Sequence, residues 1–232
     1  MNKTNELKHF RIKNKYGMFL PNIHEDRIKS LIENADNLIE SGTKFKHDKT
    51  STVSKTSFDN KDIVIKRYNN KGFFHSFRNS LRQTRAQKSL LNSLLLLDLN
   101  IITPNPLGWF VEKKGPLYHR SYFIMECCSL PTLHQTIMAN PSDQQWQNIT
   151  DNIKAMLDKF AANNITHGDL KHSNVLVADE GIGVLDLDVM TVHNNPSSFK
   201  QKRKKDISSF HNRLLTPPAR YIRQRKQKFP NE

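Results

Sequence analysis

Cysteine is nearly absent: the 232-residue chain has two, and they are neighbours, Cys127 and Cys128. Adjacent thiols cannot staple distant parts of a fold, so a disulfide framework is excluded and a reducing compartment is expected. Long hydrophobic runs are missing too. The longest apolar cluster, Leu94 to Leu97, stops at Asp98, far short of the roughly 20 residues that cross a bilayer. Met1 to Phe10 is polar, which argues against a secretory signal. Acids are scarce beside bases: 22 Asp+Glu against 36 Lys+Arg, a formal net charge of +14 and a pI of about 9.8. Such a chain is drawn to anionic partners, whether nucleic acid, acidic lipid, phosphorylated sugar or nucleotide, and charge alone does not choose among them. With 36% apolar and 25% charged residues, the composition is that of a folded protein of one large domain or two small lobes.

What is present falls into recognisable elements. Between Glu25 and Glu40, Ile28, Leu31, Ile32, Ala35, Leu38 and Ile39 recur at helical spacing and predict an amphipathic helix. A polar stretch follows, Ser41 to Ser57. Ile63-Val64-Ile65 reads as a buried strand, ending in Lys66-Arg67-Tyr68 before a turn at Asn69 to Gly72. Thr84 and Gln87 have capping-box spacing at the head of a helix to Asp98; Ser142 and Gln145 repeat it ahead of an inner stripe of Trp146, Ile149, Ile153, Leu157 and Phe160. Two strands, Leu107 to Glu112 and Ser121 to Glu126, flank a turn at Gly115-Pro116, and Gly183 to Val189 reads as another. From Lys200 to Lys228 eleven basic residues face one acid, Asp206, with a helix expected near Asp206 to Leu215. Strands crowd the first half and helices the second. The expected fold class is therefore α+β in two lobes, with a boundary near Cys127 to Pro131 and a cleft between them.

The densest chemistry lies in His167-Gly168-Asp169-Leu170-Lys171-His172-Ser173-Asn174, ahead of the apolar Val175-Leu176-Val177. On one tight loop, the Asp carboxylate can orient or deprotonate a hydroxyl, while the Asn amide oxygen can ligate a metal held against ATP phosphates. Lys171 could neutralise charge on a transferring phosphoryl group. Past the next strand, Asp186 in Leu185-Asp186-Leu187-Asp188 stands where a second Mg²⁺ ligand belongs, since Mg²⁺ takes a few hard oxygens from protein and the rest from phosphate and water. Upstream, Lys66 at a strand end could hold the α/β-phosphates. Lys, loop Asp, Asn and second Asp, in this order, match the protein-kinase signature set. His167 is expected to hold the loop through backbone bonds rather than touch substrate. No His-Glu-x-x-His or Cys-x-x-Cys occurs, so zinc is not expected.

Several stretches resemble the bacterial lipopolysaccharide core kinases, the Kdo/heptose kinase group of the protein-kinase-like fold. These are Lys49 to Lys55, Val64-Ile65-Lys66-Arg67-Tyr68-Asn69 with Lys71 to His75, Pro104 to Gly108, Arg120-Ser121-Tyr122, His167-Gly168-Asp169-Leu170, Asn174, Asp186-Leu187-Asp188 and Lys205-Asp206-Ile207. The resemblance implies a small antiparallel-sheet N-lobe and a mostly helical C-lobe. The corresponding division is an extension at 1–43 carrying the amphipathic helix, an N-lobe at 44–128, a C-lobe at 129–215 and a basic tail at 216–232. It implies phosphorylation of an inner-core sugar hydroxyl, with ATP and Mg²⁺, at the cytoplasmic face of the inner membrane. Asp169 would be the catalytic acid/base, with Lys171 beside it. Lys66 would anchor phosphate, and Asn174 and Asp186 would bind metal. Glu126 and Cys128 would lie beside the adenine.

The departures are as specific as the matches. Lys46 to Ser57 contains no glycine, so a Gly-rich phosphate loop is absent; Ser51 and Thr52, with Lys49 and Ser54, are the candidates to replace it. The helix to Asp98 lacks the Glu that pairs with the strand Lys and offers Gln87, Ser89 or Asn92 instead. No activation segment follows Asp188, which favours a small or lipid-linked acceptor over a protein. The alternatives are a kinase of another small-molecule alcohol, or an inactive kinase-like protein that binds a membrane or partner. For the basic tail, an anionic membrane surface is preferred to nucleic acid. Phe73, Phe74, Phe77 and Arg78 interleave rings and charge, but no recognition module accompanies them.

Overall fold

The computed structural model describes residues 7–69 and 83–214. The Phe73–Arg78 interleave, the turn after Asn69 and the tail beyond residue 214 lie outside the described residues. Two compact units emerge: one runs to Asp98 and includes Pro104–Cys128, and the other comprises Leu99–Thr103 and the chain from Ser129.

Alternating apolar residues build the first unit. Its elements are β1 (Lys8–Ile12), β2 (Lys15–Phe19), α1 (Glu25–Ser41), β3 (Thr43–His47), β4 (Ser51–Phe58), β5 (Lys61–Tyr68), α2 (Arg85–Asp98), β6 (Pro106–Lys114) and β7 (Leu117–Glu126). The seven strands form one antiparallel sheet in the order β1-β2-β6-β7-β5-β4-β3. Because side chains alternate along a strand, each face collects its own core. Ile63, Ile65, Phe110, Tyr122 and Ile124 pack with Ile28, Leu31, Ile32, Ala35 and Ile39 of α1. Tyr68, Trp109, Val111 and Phe123 pack with Ala86, Leu90 and Leu94 of α2. Burying each large apolar side chain contributes about 2 kcal/mol.

One polar cluster ties α1 to the sheet. Asp36 accepts from Arg67 at 2.8 Å, Arg120 at 3.1 Å and the Tyr122 hydroxyl at 3.1 Å. Burial pushes the Asp36 carboxyl up, but these donors outweigh it and hold the group below its usual range.

Four strands of the sheet lie where the sequence reading gives none. The polar stretch at 41–57 contains β3 and most of β4, whose inner residues Ser51, Thr52 and Ser54 are small hydroxyls rather than aliphatics. Residues 8–19 form the β1–β2 hairpin, joined to β6 at the sheet's other side. β3 is exposed at all five positions, Phe45 by 61%, and its pairing with β4 shifts register between Lys44 and Lys46.

The second unit is mostly helical: α3 (Leu133–Met138), α4 (Asp143–Ala162) and α5 (Pro196–Leu214), with short pairs β9 (Val175–Ala178) with β10 (Gly181–Val184), and β8 (Ile165–Thr166) with β11 (Thr191–Val192). Capping boxes start α3 at Thr132/Gln135 and α4 at Ser142/Gln145. The strand expected at Gly183 to Val189 ends at Val184, because Asp186 adopts φ +66° and the chain turns into a 3₁₀ segment, Leu187–Val189. The last helix begins well before Asp206. Asn195 accepts from the Ser197 and Ser198 amides at 2.8 and 3.3 Å, and Pro196 takes the first helical position.

Candidate active site

Asp169 follows β8 on a loop fixed from three directions. The backbone turns at Gly168, whose φ is +81° and where a Cβ would lie 2.9 Å from the Val189 carbonyl oxygen, so only glycine fits without strain. Asp206, on α5 and 9% exposed, accepts from the His167 amide at 2.6 Å and from the Gly168 amide at 3.0 Å. Behind the loop, the fully buried His167 ring donates from Nε2 to the Leu185 carbonyl at 2.9 Å, and its Nδ1 accepts from the Asp169 amide at 3.3 Å.

That pairing demands one neutral tautomer, and burial pushes the His167 pKa down. Its folded pKa lies below the unfolded value of about 6.5, so the unfolded chain binds more protons between the two. The His167 contribution is complete above pH of about 6.5 and is lost as pH falls toward the folded value. Burial of His211 acts in the same direction. The melting temperature should therefore fall as pH drops from about 7.5 to 5; a flat calorimetric profile over that range would contradict this account of the loop.

Around the Asp169 carboxylate, Lys171 Nζ lies 2.6 Å from Oδ2. The Asn174 amide nitrogen donates to the Asp169 carbonyl at 3.0 Å and to Oδ2 at 3.3 Å. With the nitrogen so engaged, the amide oxygen is the Asn174 atom that could meet a metal. The Leu185 amide donates to the Asn174 carbonyl at 2.8 Å. Leu185 is thus held by both His167 and Asn174, which links Asp186 to the catalytic loop. Asp186 takes a left-handed backbone uncommon outside glycine, at a cost of about 1 kcal/mol or more. An amide oxygen and a carboxylate form a hard-oxygen pair that suits Mg²⁺ completed by water and phosphate.

The first unit carries the other candidates. Lys66 lies on β5, is 7% exposed, and pairs in register with Val53 and Phe123. Its Nζ is 4.9 Å from the Tyr68 ring centroid, and the Arg85 guanidinium is 4.7 Å from the same ring. The Tyr68 hydroxyl is 3.0 Å from Ser89 Oγ on α2. Of the three helix residues offered in place of the usual Glu, Ser89 therefore steadies the aromatic surface beneath Lys66. Ser51 and Thr52 are buried, and Thr52 Oγ1 lies 3.1 Å from His47 Nδ1. The turn amides that could receive a phosphate, those of Thr50 and Ser51, donate to Asp48 at 2.7 and 2.9 Å. Glu126 accepts from the Asn105 side chain at 2.8 Å, and Cys128 is a half-buried free thiol.

Sequence reasoning left Asp206 without a role. Its local signals are to be the one acid in a basic run and to lie in the Lys205-Asp206-Ile207 stretch, neither of which gives it a task; its place as the loop's anchor appears when α5 packs on β8.

Comparison with other proteins bears on this arrangement. A solved structure, described as "WaaP in complex with acyl carrier protein", has a similar fold, with a TM-score of 0.54 and 14% sequence identity over 89% of each chain. No functionally curated protein matches the sequence. The lipopolysaccharide kinase (Kdo/WaaP) family matches residues 38–229, a span that takes in Lys66, Asp169, Asn174, Asp186 and Asp206. With most of the sequence inside that match, the chain belongs to the lipopolysaccharide kinase (Kdo/WaaP) family, kinases that act on the lipopolysaccharide core.

Proposed function

We propose that the protein transfers the γ-phosphoryl group of ATP to a sugar hydroxyl of the lipopolysaccharide inner core, a Kdo or heptose residue. The observation that supports this best is the Asp169 carboxylate, paired with Lys171 and steadied by Asn174, on a loop fixed by His167 and Asp206. Asp169 accepts the hydroxyl proton as the sugar oxygen forms its bond to phosphorus and the bond to the ADP oxygen breaks. Lys171 offsets negative charge on the transferring group. Lys66 holds the α/β-phosphates, and Glu126 and Cys128 border the adenine. Ser51 and Thr52 follow the β3–β4 turn and are assigned its support. Asn174 and Asp186 would hold Mg²⁺, which when bound neutralises phosphate charge. Catalysis is then mostly positioning and charge compensation.

An anionic membrane surface is the assigned setting. Lys200, Lys202, Lys204 and Lys205 are exposed along α5, while Asp206 of the same helix turns inward to the loop. Each cation near such a surface contributes about 1 kcal/mol.

The test is label transfer from γ-labelled Mg-ATP to deacylated core oligosaccharide. The expected result is a labelled sugar with the wild type and a loss of about a hundredfold or more in kcat/KM with Lys66→Met. Labelling of a non-carbohydrate alcohol in its place would make the protein a kinase of another small molecule. ATP binding without transfer to any acceptor would favour an inactive, partner-binding protein.

A further inference from the structure

The cleft at the β1–β2 hairpin contains none of the residues assigned above to catalysis, nucleotide or metal. It measures about 460 Å³ and lies between the hairpin and the β6–β7 turn. Four cations line it, Arg11, Lys13, Lys15 and Lys113, together with the rings of Tyr16 and Tyr118 and the amide of Asn14. Among the described residues no carboxylate lines it. Among the described residues, the ion pair made by these cations is loose: Lys13 to Glu33 at 4.0 Å, with the Lys13 side chain 83% exposed. Lys15 lines the cleft but sends its ammonium toward α1, where it donates to the Ile32 carbonyl at 2.8 Å and lies 5.7 Å from the Phe110 ring centroid. A concave surface with one sign of charge focuses the field and concentrates counter-ions.

The aromatic part is built as firmly as the charged part. Tyr16 and Tyr118 lie 5.6 Å apart, and Lys113 Nζ stands 4.9 and 5.6 Å from their centroids. Tyr16 meets Trp109 edge-on at 5.9 Å. The hairpin is clamped to β6 by two bonds of 2.8 Å, Lys113 N–H to the Asn14 carbonyl and the Asn14 amide to the Lys113 carbonyl. Lys13 sits at φ +53°, where Asn or Gly would be the unstrained choice. A long cation therefore occupies the turn at some cost in backbone energy.

We propose that this cleft binds a phosphorylated sugar as a second site. Arg11, Lys13 and Lys113 take the phosphomonoester through charge-assisted hydrogen bonds. The Tyr118 and Tyr16 rings take the apolar face of the sugar, whose C–H bonds pack against π surfaces.

Binding of glucose 6-phosphate to the full chain, by calorimetry and by Trp109 fluorescence at low ionic strength, tests this without using phosphoryl transfer. Glucose, inorganic phosphate and hexaglutamate are the comparison probes. The expected order is glucose 6-phosphate tightest, inorganic phosphate weaker and glucose unbound. Arg11→Ala with Lys113→Ala should weaken the phosphosugar about tenfold or more, while Lys61→Ala, outside the cleft, leaves it unchanged. Tyr118→Ala should reduce the phosphosugar to the level of inorganic phosphate. The exposed Lys13→Glu variant provides the same charge test if the double variant fails to fold. Wild-type affinity in the charge variants would overturn the proposal. So would tighter, Arg11- and Lys113-dependent binding of hexaglutamate, which would make the cleft a protein-docking site. Equal affinity for inorganic phosphate, untouched by Tyr118→Ala, would reduce it to a bare anion site and overturn the sugar assignment.

Discussion

Asp169→Asn should lower kcat between about a hundred- and ten-thousandfold, the range for loss of a positioned general base, while KM for ATP and the melting temperature stay close to wild type. The substitution keeps shape and removes charge and proton affinity together. It also takes the anionic partner from Lys171, 2.6 Å away. Both side chains of that pair are about one-third exposed, so its contribution to stability is small, about 1 kcal/mol or less. Chemistry and stability therefore separate at this position. Steady-state kinetics beside calorimetry checks the separation, and a kcat within a few-fold of wild type would remove Asp169 from the reaction.

Asp206→Ala should fail in both respects. The carboxylate receives two backbone amides, from His167 and Gly168, inside a nearly closed environment. Its removal leaves the buried His167 N–H without an acceptor, at about 1–3 kcal/mol, and returns the part-buried Gly168 N–H to water. For a chain of this size that corresponds to a fall in melting temperature of roughly 2–12 °C. The loop carrying Asp169 loses its anchor, so kcat falls as well. Asp206→Asn keeps one acceptor oxygen and should recover part of the stability and part of kcat together. A stable, inactive Asp206→Ala protein would instead place Asp206 in the chemistry. A stable, fully active one would leave the loop anchored by His167 alone.

The contrast between these positions reflects what a sequence can carry. Asp169, Asn174 and Asp186 were legible because their separations are local, set by one loop and one short hairpin. Asp206 was not, since its role arises from packing between segments far apart in the chain. The same division runs through the fold. Helix α4 announced itself by an apolar stripe and a capping box at Ser142 and Gln145. Strand β4 hid because Ser51, Thr52 and Ser54 fill its inner positions and read as a polar linker. Helix α5 hid its first turns because Lys200 to Lys205 offers no apolar period, leaving Asn195-Pro196 as the only starting signal.

Strand β3 carries a consequence for association. Among the described residues it is an edge strand of the seven-stranded sheet, and an exposed edge with Phe45 outward is a template on which another chain could add a strand. The register shift between Lys44 and Lys46 breaks the even ladder of donors and acceptors that such an addition needs. A copy approaching in antiparallel register would also bring lysines against lysines on either side of Phe45. Removing either safeguard, by restoring regular pairing or discharging the two lysines, would turn this edge into a nucleus for aggregation.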